Sequence, residues 1–209
     1  MKLILFGATG GTGQQLVTQA LAQGHEVTAF SRSPEKLNLK HQRLSLLQGD
    51  VLELNAVKKA VKNKDAIICA LGSSAFDKSK LRTQGTQNIL KAMQANDIKR
   101  LICLSAHGVG DSYDSLPWHY KGLILPLFLR HVMADHLQQE SAIKNSSVDW
   151  TIIRAANLTN GEQTGWYKYG ATVMDNTSKL KISRADVAEF MLKQLSDPSN
   201  IHKTPSISY

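Results

Sequence analysis

Residues 7–13 read Gly-Ala-Thr-Gly-Gly-Thr-Gly and directly follow the apolar run Lys2–Phe6. The run predicts a buried β-strand. Apolar residues recur at helical spacing across the next segment, residues 12–23, and predict an amphipathic helix. A glycine-rich turn between a strand and such a helix is typical of a nucleotide-binding βαβ unit.

Each glycine of this loop has a physical role in such a unit. Gly7 permits the tight turn, Gly10 lets a pyrophosphate approach the backbone, and Gly13 lets the helix pack against the sheet. The free N–H groups at the start of the helix bind anions. We therefore predict that the loop holds a diphosphate through Gly7, Thr9, Gly10, Gly11, Thr12 and Gly13.

The rest of the chain continues the alternation of short apolar runs and helical windows. Runs that are apolar on both faces indicate a parallel sheet covered by helices on both sides. The predicted fold is α/β, a doubly wound Rossmann-type parallel sheet in a single domain over residues 1–209, and Ser183 is predicted to cap the last helix. The further predicted strands are His25–Ser31, Leu44–Leu47, Asp65–Leu71, Arg100–Ser105 and Asp149–Arg154.

Composition excludes several classes of protein. The 209 residues suit one domain, and two cysteines support neither a disulfide framework nor a four-cysteine zinc site. The apolar N-terminal stretch is too short for a signal peptide, and no segment approaches the ~20 apolar residues of a membrane span. We expect a soluble, cytoplasmic protein.

The net charge of +8 raises the possibility of a nucleic-acid partner. The lysines and arginines are dispersed, however, and their densest groups are not interleaved with aromatic residues. A solvated basic surface that favours small anionic molecules is the better interpretation, and no nucleic-acid partner is predicted.

The end of the second strand indicates the preferred nicotinamide cofactor. An NAD site places an acidic residue there to bind the ribose hydroxyls, whereas this chain has Ser31-Arg32-Ser33, with Lys36 one turn later. A guanidinium and an ammonium can both bind a 2′-phosphate. We therefore predict NADPH (NADP) as the cofactor, read by Arg32 and Lys36.

Several stretches together resemble one family. The first gap of the glycine loop is one residue longer than in the plain dinucleotide fingerprint, as in extended and atypical short-chain dehydrogenases/reductases. With Gly49-Asp50-Val51, Leu71-Gly72, Leu104-Ser105-Ala106 and the segment 182–188 (ISRADVA), the chain resembles the flavin reductase/biliverdin-IXβ reductase family, close to the NmrA-like reductases.

This resemblance implies that Asp50 and Val51 flank the adenine, although Asp50 can equally be a turn residue after Gly49. Leu71 and Gly72 end the fourth strand, where the backbone approaches the second ribose. Ser105 ends the fifth strand at the crevice where α/β sheets bind ligands, so its hydroxyl can bond the nicotinamide ribose or the substrate, or merely end the strand.

The sequence departs from the family after the sixth strand. It has Ala155-Ala156-Asn157 where the flavin/biliverdin reductases carry Pro-Pro-His. Asn157 can hydrogen-bond a carboxamide or a substrate but cannot donate a proton as an acid at neutral pH. No tyrosine is followed four residues later by lysine, so the usual acid of carbonyl reduction is missing.

Hydride transfer to a conjugated acceptor needs such an acid less. We expect an NADPH-dependent reductase of a flavin, quinone or tetrapyrrole, a small-molecule partner bound by the loops Ala106–Lys121 and Asn160–Gly170. The alternatives are an NADP(H)-sensing protein without turnover and an atypical sugar-type reductase or epimerase. Ser105 should orient the ligand, and no essential acid is predicted among His119, Tyr120 and His136.

Three further features have ordinary explanations. His131, Asp135 and His136 share a helical segment, but a third well-placed ligand is not evident, so no metal site is predicted and these are interpreted as surface residues. Cys69 and Cys103 lie in apolar strands and are predicted to be core residues. The apolar run Leu123–Leu129 is interpreted first as a core helix, with a pocket wall or an association surface as alternatives.

Overall fold

The computed structural model describes residues 1–74, 77–170 and 179–209. The ten strands are β1 (Lys2–Phe6), β2 (Glu26–Ser31), β3 (Leu44–Gln48), β4 (Ala66–Cys69), β5 (Arg100–Ala106), β6 (Asp149–Ala155), β7 (Asn157–Thr159), β8 (Lys168–Gly170), β9 (Lys181–Ser183) and β10 (Ser206–Ser208). The helices are α1 (Gly11–Ala22), α2 (Leu54–Ala60), α3 (Leu81–Ala95), the π-helix (Tyr120–Leu129), α4 (Arg130–Lys144) and α5 (Arg184–Lys193), with short 3₁₀ turns such as Pro34–Leu37.

The central sheet has eight strands in the order β3-β2-β1-β4-β5-β6-β10-β8. Every neighbouring pair is parallel except the edge pair of β10 and β8. β7 and β9 form a separate two-stranded parallel sheet. The prediction of a doubly wound α/β fold is therefore confirmed.

Side-chain alternation along β1 explains why both faces of the sheet are covered. Leu3 and Leu5 point into a core with α1 and α5, whereas Ile4 and Phe6 point into a second core with α2, α3 and α4. All four residues are buried. Because successive side chains of a strand point to opposite faces, a strand between two helix layers is apolar throughout.

Two predictions about the second half of the chain are wrong. Residues Leu123–Leu129 belong to the π-helix, in which no residue is buried, and Leu127 is 63% exposed. The preferred assignment of this run to the core therefore fails, because a segment that is apolar on every side does not indicate which side packs inward.

In the described ranges, no helix is both long enough and apolar enough to cross a membrane.

The second wrong prediction concerns α4. Asp135 and His136 are buried rather than on the surface. The inward face of this helix also carries Gln139 and Glu140, so its buried stripe is mostly polar and hydrophobic periodicity does not reveal it.

The predicted cap of the last helix is confirmed. Ser183 Oγ accepts a hydrogen bond from the backbone N–H of Asp186 at the start of α5. Asp186 is itself buried and accepts hydrogen bonds from Ser183 Oγ, Tyr209 Oη and the backbone N–H groups of Thr164 and Gly165. These bonds hold residues 164–165 against the start of α5.

Candidate functional site

A cleft of about 1200 Å³ lies at the carboxyl ends of the parallel strands. This is the edge at which open α/β sheets bind ligands. Its volume exceeds the roughly 300–1000 Å³ of a pocket for one small ligand, so two ligands can share it. The structure brings all of the predicted cofactor residues together along this cleft: Gly7, Thr9, Gly10, Gly11, Thr12, Gly13, Arg32, Lys36, Asp50, Val51, Leu71, Gly72, Ser105 and Asn157.

The three loop glycines meet different surroundings. Gly7 has φ +82°, and a Cβ added there would lie 2.3 Å from the carbonyl oxygen of Ala70. A Cβ on Gly13 would lie 2.1 Å from the carbonyl oxygen of Gly7, so α1 packs directly on the loop. A Cβ on Gly10 would meet only that oxygen, at 3.4 Å, and otherwise faces the cleft. Gly10 is thus the glycine whose missing side chain leaves room for a ligand.

The start of α1 offers unpaired donors to that space. Gly10 is the N-cap and supplies no side-chain bond, and the first backbone bond of the helix runs from Gln14 N–H to the Gly10 carbonyl oxygen. The N–H groups of Gly11, Thr12 and Gly13 therefore have no acceptor within the helix. Free donors at the positive end of a helix dipole fit a diphosphate.

Arg32 and Lys36 stand at the other side of the loop, on the cleft and exposed to solvent. Arg32 follows β2, and Gln48 Nε2 donates to its backbone carbonyl oxygen, which fixes the chain at this point. Lys36 lies on the 3₁₀ turn Pro34–Leu37. Within the described ranges neither side chain forms an ion pair, so both charges are available to a ligand.

The side chain of Asp50 stabilises a turn, and Asp50 also lines the cleft. Its Oδ1 accepts a hydrogen bond from Leu52 N–H at 2.9 Å, which is the turn role that the sequence left open. Asn88 of α3 donates to the carbonyl oxygens of Val51 and Leu52 and holds this segment against the helix. The turn thereby presents Asp50 and Val51 to the cleft.

Ser105 is held by a buried ionic network that the sequence did not reveal. Its Oγ donates to Glu140 Oε1 at 2.8 Å. Glu140 in turn accepts from Arg154 through Nε at 3.0 Å and Nη2 at 2.7 Å, and Arg154 also donates to Asp111 Oδ1. Because its proton is directed to Glu140, Ser105 presents lone pairs to a ligand and acts as an acceptor.

The protonation of this network follows from the same contacts. Burial alone would raise the pKa of Glu140, but the hydrogen bonds and positive charge of Arg154 hold that pKa below its usual value. Arg154 likewise lowers the pKa of Asp111 through their hydrogen bond. Both carboxylates are therefore ionised at neutral pH, and Glu140 remains an acceptor for the hydroxyl of Ser105.

His136 lies beside Ser105, with its Nδ1 3.5 Å from Ser105 Oγ. The ring is 7% exposed and lines the cleft, which corrects its interpretation as a surface residue. Burial, with the nearby charge of Arg82, lowers the pKa of His136 to about 4. The imidazole is consequently neutral at pH 7 and cannot serve there as an imidazolium acid.

Asp135, the neighbour of His136, has a structural role. Its two carboxylate oxygens accept hydrogen bonds from the backbone N–H groups of Arg82 and Thr83, at 3.0 Å and 2.9 Å. Asp135, on α4, therefore caps the start of α3. A carboxylate engaged in this way is not free for the metal pair that His131 and Asp135 could have formed. Cys69 and Cys103 are fully buried in β4 and β5, as predicted.

The far end of the cleft, beyond Ser105, is walled by the segment before α4. It includes His107, Leu116 and Tyr120 from the predicted loop Ala106–Lys121. The second predicted loop differs from expectation: no residue of Asn160–Gly170 lines the cleft, because Asp186 holds part of that loop beside α5. The π-helix and α4 form this wall instead, through Leu125, Leu129 and Met133. Asn157 donates from Nδ2 to Tyr120 Oη at 2.6 Å and closes the end of the cleft.

A family model described as NAD(P)H-binding matches residues 7–198. The chain belongs to this NAD(P)H-binding family. The match begins at the first glycine of the loop and extends beyond α5, so it includes all of the predicted cofactor residues.

Relatives of this NAD(P)H-binding protein cover nearly all of its length. The protein YwnB of Bacillus subtilis is 26% identical over 208 residues, which are 96% of this chain and 94% of YwnB. A solved short-chain dehydrogenase/reductase from Veillonella parvula, in complex with NADP, has a TM-score of 0.84 and 18% identity, covering 100% of this chain and 94% of that one. ChuY, an anaerobilin reductase from Escherichia coli O157:H7, has a TM-score of 0.80 and 23% identity, covering 99% and 96%. At these identities the two structures show a shared fold.

Proposed function

We propose that this NAD(P)H-binding protein is an NADPH-dependent oxidoreductase that transfers a hydride to a planar conjugated acceptor. One observation carries the proposal. A single cleft joins Arg32 and Lys36, which have no ion-pair partner among the described residues, a glycine loop with free helix N–H groups, and an apolar end beside Ser105. A dinucleotide needs the first two features, and an acceptor for its hydride needs the third.

The choice of NADPH over NADH is supported by the residues after β2. Arg32 and Lys36 present two positive charges where an NAD site has a carboxylate. The solved complex of the Veillonella protein contains NADP in the same fold. Charge-assisted contacts from Arg32 and Lys36 would favour a cofactor that carries a 2′-phosphate.

The chain's own residues would then position the reactants. A bound NADPH supplies a hydride, which together with one proton from water converts the acceptor to its two-electron reduced form and leaves NADP⁺. Ser105 accepts a hydrogen bond from a ribose hydroxyl or a carboxamide, and Glu140 fixes its orientation. Leu125, Leu129 and Met133 exclude water from one side of the acceptor.

The surroundings of the three candidate acids favour a proton from solvent. His119 is exposed and does not line the cleft. Tyr120 lacks the lysine four residues later that accompanies the usual tyrosine acid, and His136 is neutral at pH 7 because burial lowers its pKa to about 4. We therefore expect catalysis by positioning rather than by a protein acid.

The test is NADPH oxidation followed at 340 nm with FMN, FAD, riboflavin, quinones and biliverdin, each with and without the protein. Turnover with at least one acceptor, abolished by Gly10→Val, supports the proposal. Tight NADPH binding without turnover with any acceptor would contradict it and indicate an NADP(H)-sensing protein instead.

A further inference from the structure

The end of the cleft beyond Ser105, where the hydride acceptor would bind, is apolar. Its lining indicates the chemical class of that compound. Leu116 contributes from the loop after β5, Leu125 and Leu129 from the π-helix, and Met133 from α4. These side chains come from three consecutive segments and line the same cleft as Ser105. Aliphatic walls of this kind bind flat, apolar ring systems.

The polar groups at this end are largely engaged with one another. The two ring nitrogens of His107 lie 3.0 Å from Ser206 Oγ and 2.9 Å from Ser115 Oγ. Asn157 donates to Tyr120, and Ser105 donates to Glu140. Tyr120 accepts in its bond with Asn157 and so keeps its own O–H proton for a carbonyl or a ring nitrogen of a bound hydride acceptor.

The cation nearest this end is already engaged, because Arg154 is paired with Glu140 and Asp111. His107 and His136 are neutral at pH 7, because burial lowers the pKa of each to about 4. Arg82 is buried and paired with Asp135. Arg184 lies against the glycine loop, where a Cβ on Gly11 would be 2.8 Å from its Cδ, and its Nη1 donates to Asn160 Oδ1.

Arg32 and Lys36, which form no ion pair with another described residue, line the opposite end of the cleft, beyond the glycine loop. An anionic group buried beside Leu125 and Leu129 would lose its hydration without gaining a partner, which is costly. An uncharged ring would lose little and gain apolar contact.

We propose, on the basis of the proposed function, that the acceptor is an uncharged apolar ring compound of the quinone type. An acidic flavin nucleotide or a tetrapyrrole dicarboxylate does not fit this end as well. The reaction balances as quinone, NADPH and one proton giving hydroquinone and NADP⁺: the hydride carries both electrons, and water supplies the proton.

The first experiment compares matched acceptors. Riboflavin and FMN share one ring system and differ by a phosphate, and menadione and biliverdin represent the uncharged and the dicarboxylate extremes. We expect menadione to give the highest kcat/KM and FMN to be no better than riboflavin. The same order is expected for equilibrium binding to the complex of the protein with NADP⁺, measured by calorimetry.

The second experiment places a cation in the wall. Leu125→Arg should improve FMN relative to riboflavin by about tenfold, the effect of one charge-assisted hydrogen bond. Leu123→Arg is the matched control, since it adds the same charge to the same π-helix at a position that is 55% exposed and outside the cleft. It should leave the FMN to riboflavin ratio unchanged.

The outcomes separate the two proposals. If the wild-type protein uses or binds FMN at least about tenfold better than riboflavin, or biliverdin better than menadione, the proposed acceptor class is wrong while the oxidoreductase remains. If menadione binds best but no acceptor is reduced, the ligand class stands and the oxidoreductase function is wrong. Equal binding of all four compounds overturns the acceptor class as well.

Discussion

Replacing Arg32 by alanine tests how the protein distinguishes its cofactors. Arg32 and Lys36 line the cleft, and neither side chain is engaged in an ion pair with another described residue. Removing Arg32 therefore breaks no ion pair or side-chain hydrogen bond with the part of the chain that the structure describes, and the measured change reports mainly its interaction with the ligand. We expect Arg32→Ala to weaken NADPH binding and to leave NADH binding nearly unchanged.

The magnitude follows from the kind of contact. A hydrogen bond to a charged group contributes about 1.5–3 kcal/mol, and Arg32 is exposed, so water and salt screen part of that energy. Lys36 remains on the 3₁₀ turn and keeps part of the attraction. The expected loss for NADPH is about tenfold to a hundredfold, with values near tenfold at physiological ionic strength.

The assay is a fluorescence titration of the protein with NADPH and with NADH at two salt concentrations. Lys40→Ala is the matched control, because it removes the same charge from an exposed position outside the cleft. Equal losses for NADPH and NADH in Arg32→Ala, or an equal effect of Lys40→Ala, would refute the assignment of Arg32 to the 2′-phosphate.

Three further predictions concern the loop, the chemistry and stability. Gly10→Val should fold normally, because its added Cβ meets only the Gly7 carbonyl oxygen at 3.4 Å, and should lose binding of both cofactors, because the side chain enters the cleft. The control Gly122→Val lies outside the cleft and should bind both cofactors normally. Normal binding by Gly10→Val would disprove the diphosphate assignment. Ser105→Ala should lower kcat by about tenfold, whereas His119→Ala, Tyr120→Phe and His136→Ala should keep most of the rate; a loss of about a hundredfold or more in any of these three, with NADPH binding intact, would identify a protein acid. The free energy of unfolding, measured in urea, should fall as the pH drops from about 6.5 to about 4. His107 and His136 have pKa values near 4 in the folded protein and near 6.5 in the unfolded chain, so the unfolded chain binds more protons in this range. A flat profile would contradict the burial of both rings in the neutral form.

The first half of the fold was predictable because its signals are local. Each strand from β1 to β5 contains a short apolar stretch, and the loop Gly7–Gly13 connects β1 directly to α1. The strands β7 to β10 have three residues each and are held by pairing with distant segments, such as β10 against β6. A pattern of period two cannot be recognised in three residues.

The candidate site also has a part that local sequence signals predict and a part that depends on contacts between distant segments. The positions of Arg32 and Lys36 on the cleft could be predicted, because both residues closely follow the strand next to the glycine loop. Glu140 and Arg154 were missed because their pairing joins α4 to β6, and each resembles an ordinary surface charge in the sequence. Polar residues at helical spacing on α4, including Asp135, His136, Gln139 and Glu140, were the only available signal of this buried face.

The proposed function requires the protein to hold the nicotinamide in one orientation and to direct its hydride to the acceptor. NADPH deuterated at C4 in the R or the S configuration tests this directly, with menadione as acceptor and the deuterium content of the resulting NADP⁺ as the readout. We predict that one of the two labelled cofactors loses its deuterium completely and that the other retains it, because a cofactor fixed beside Ser105 presents a single face. Loss of label from both cofactors, in proportions independent of the protein, would show that the hydride leaves from free NADPH and would contradict the proposed site.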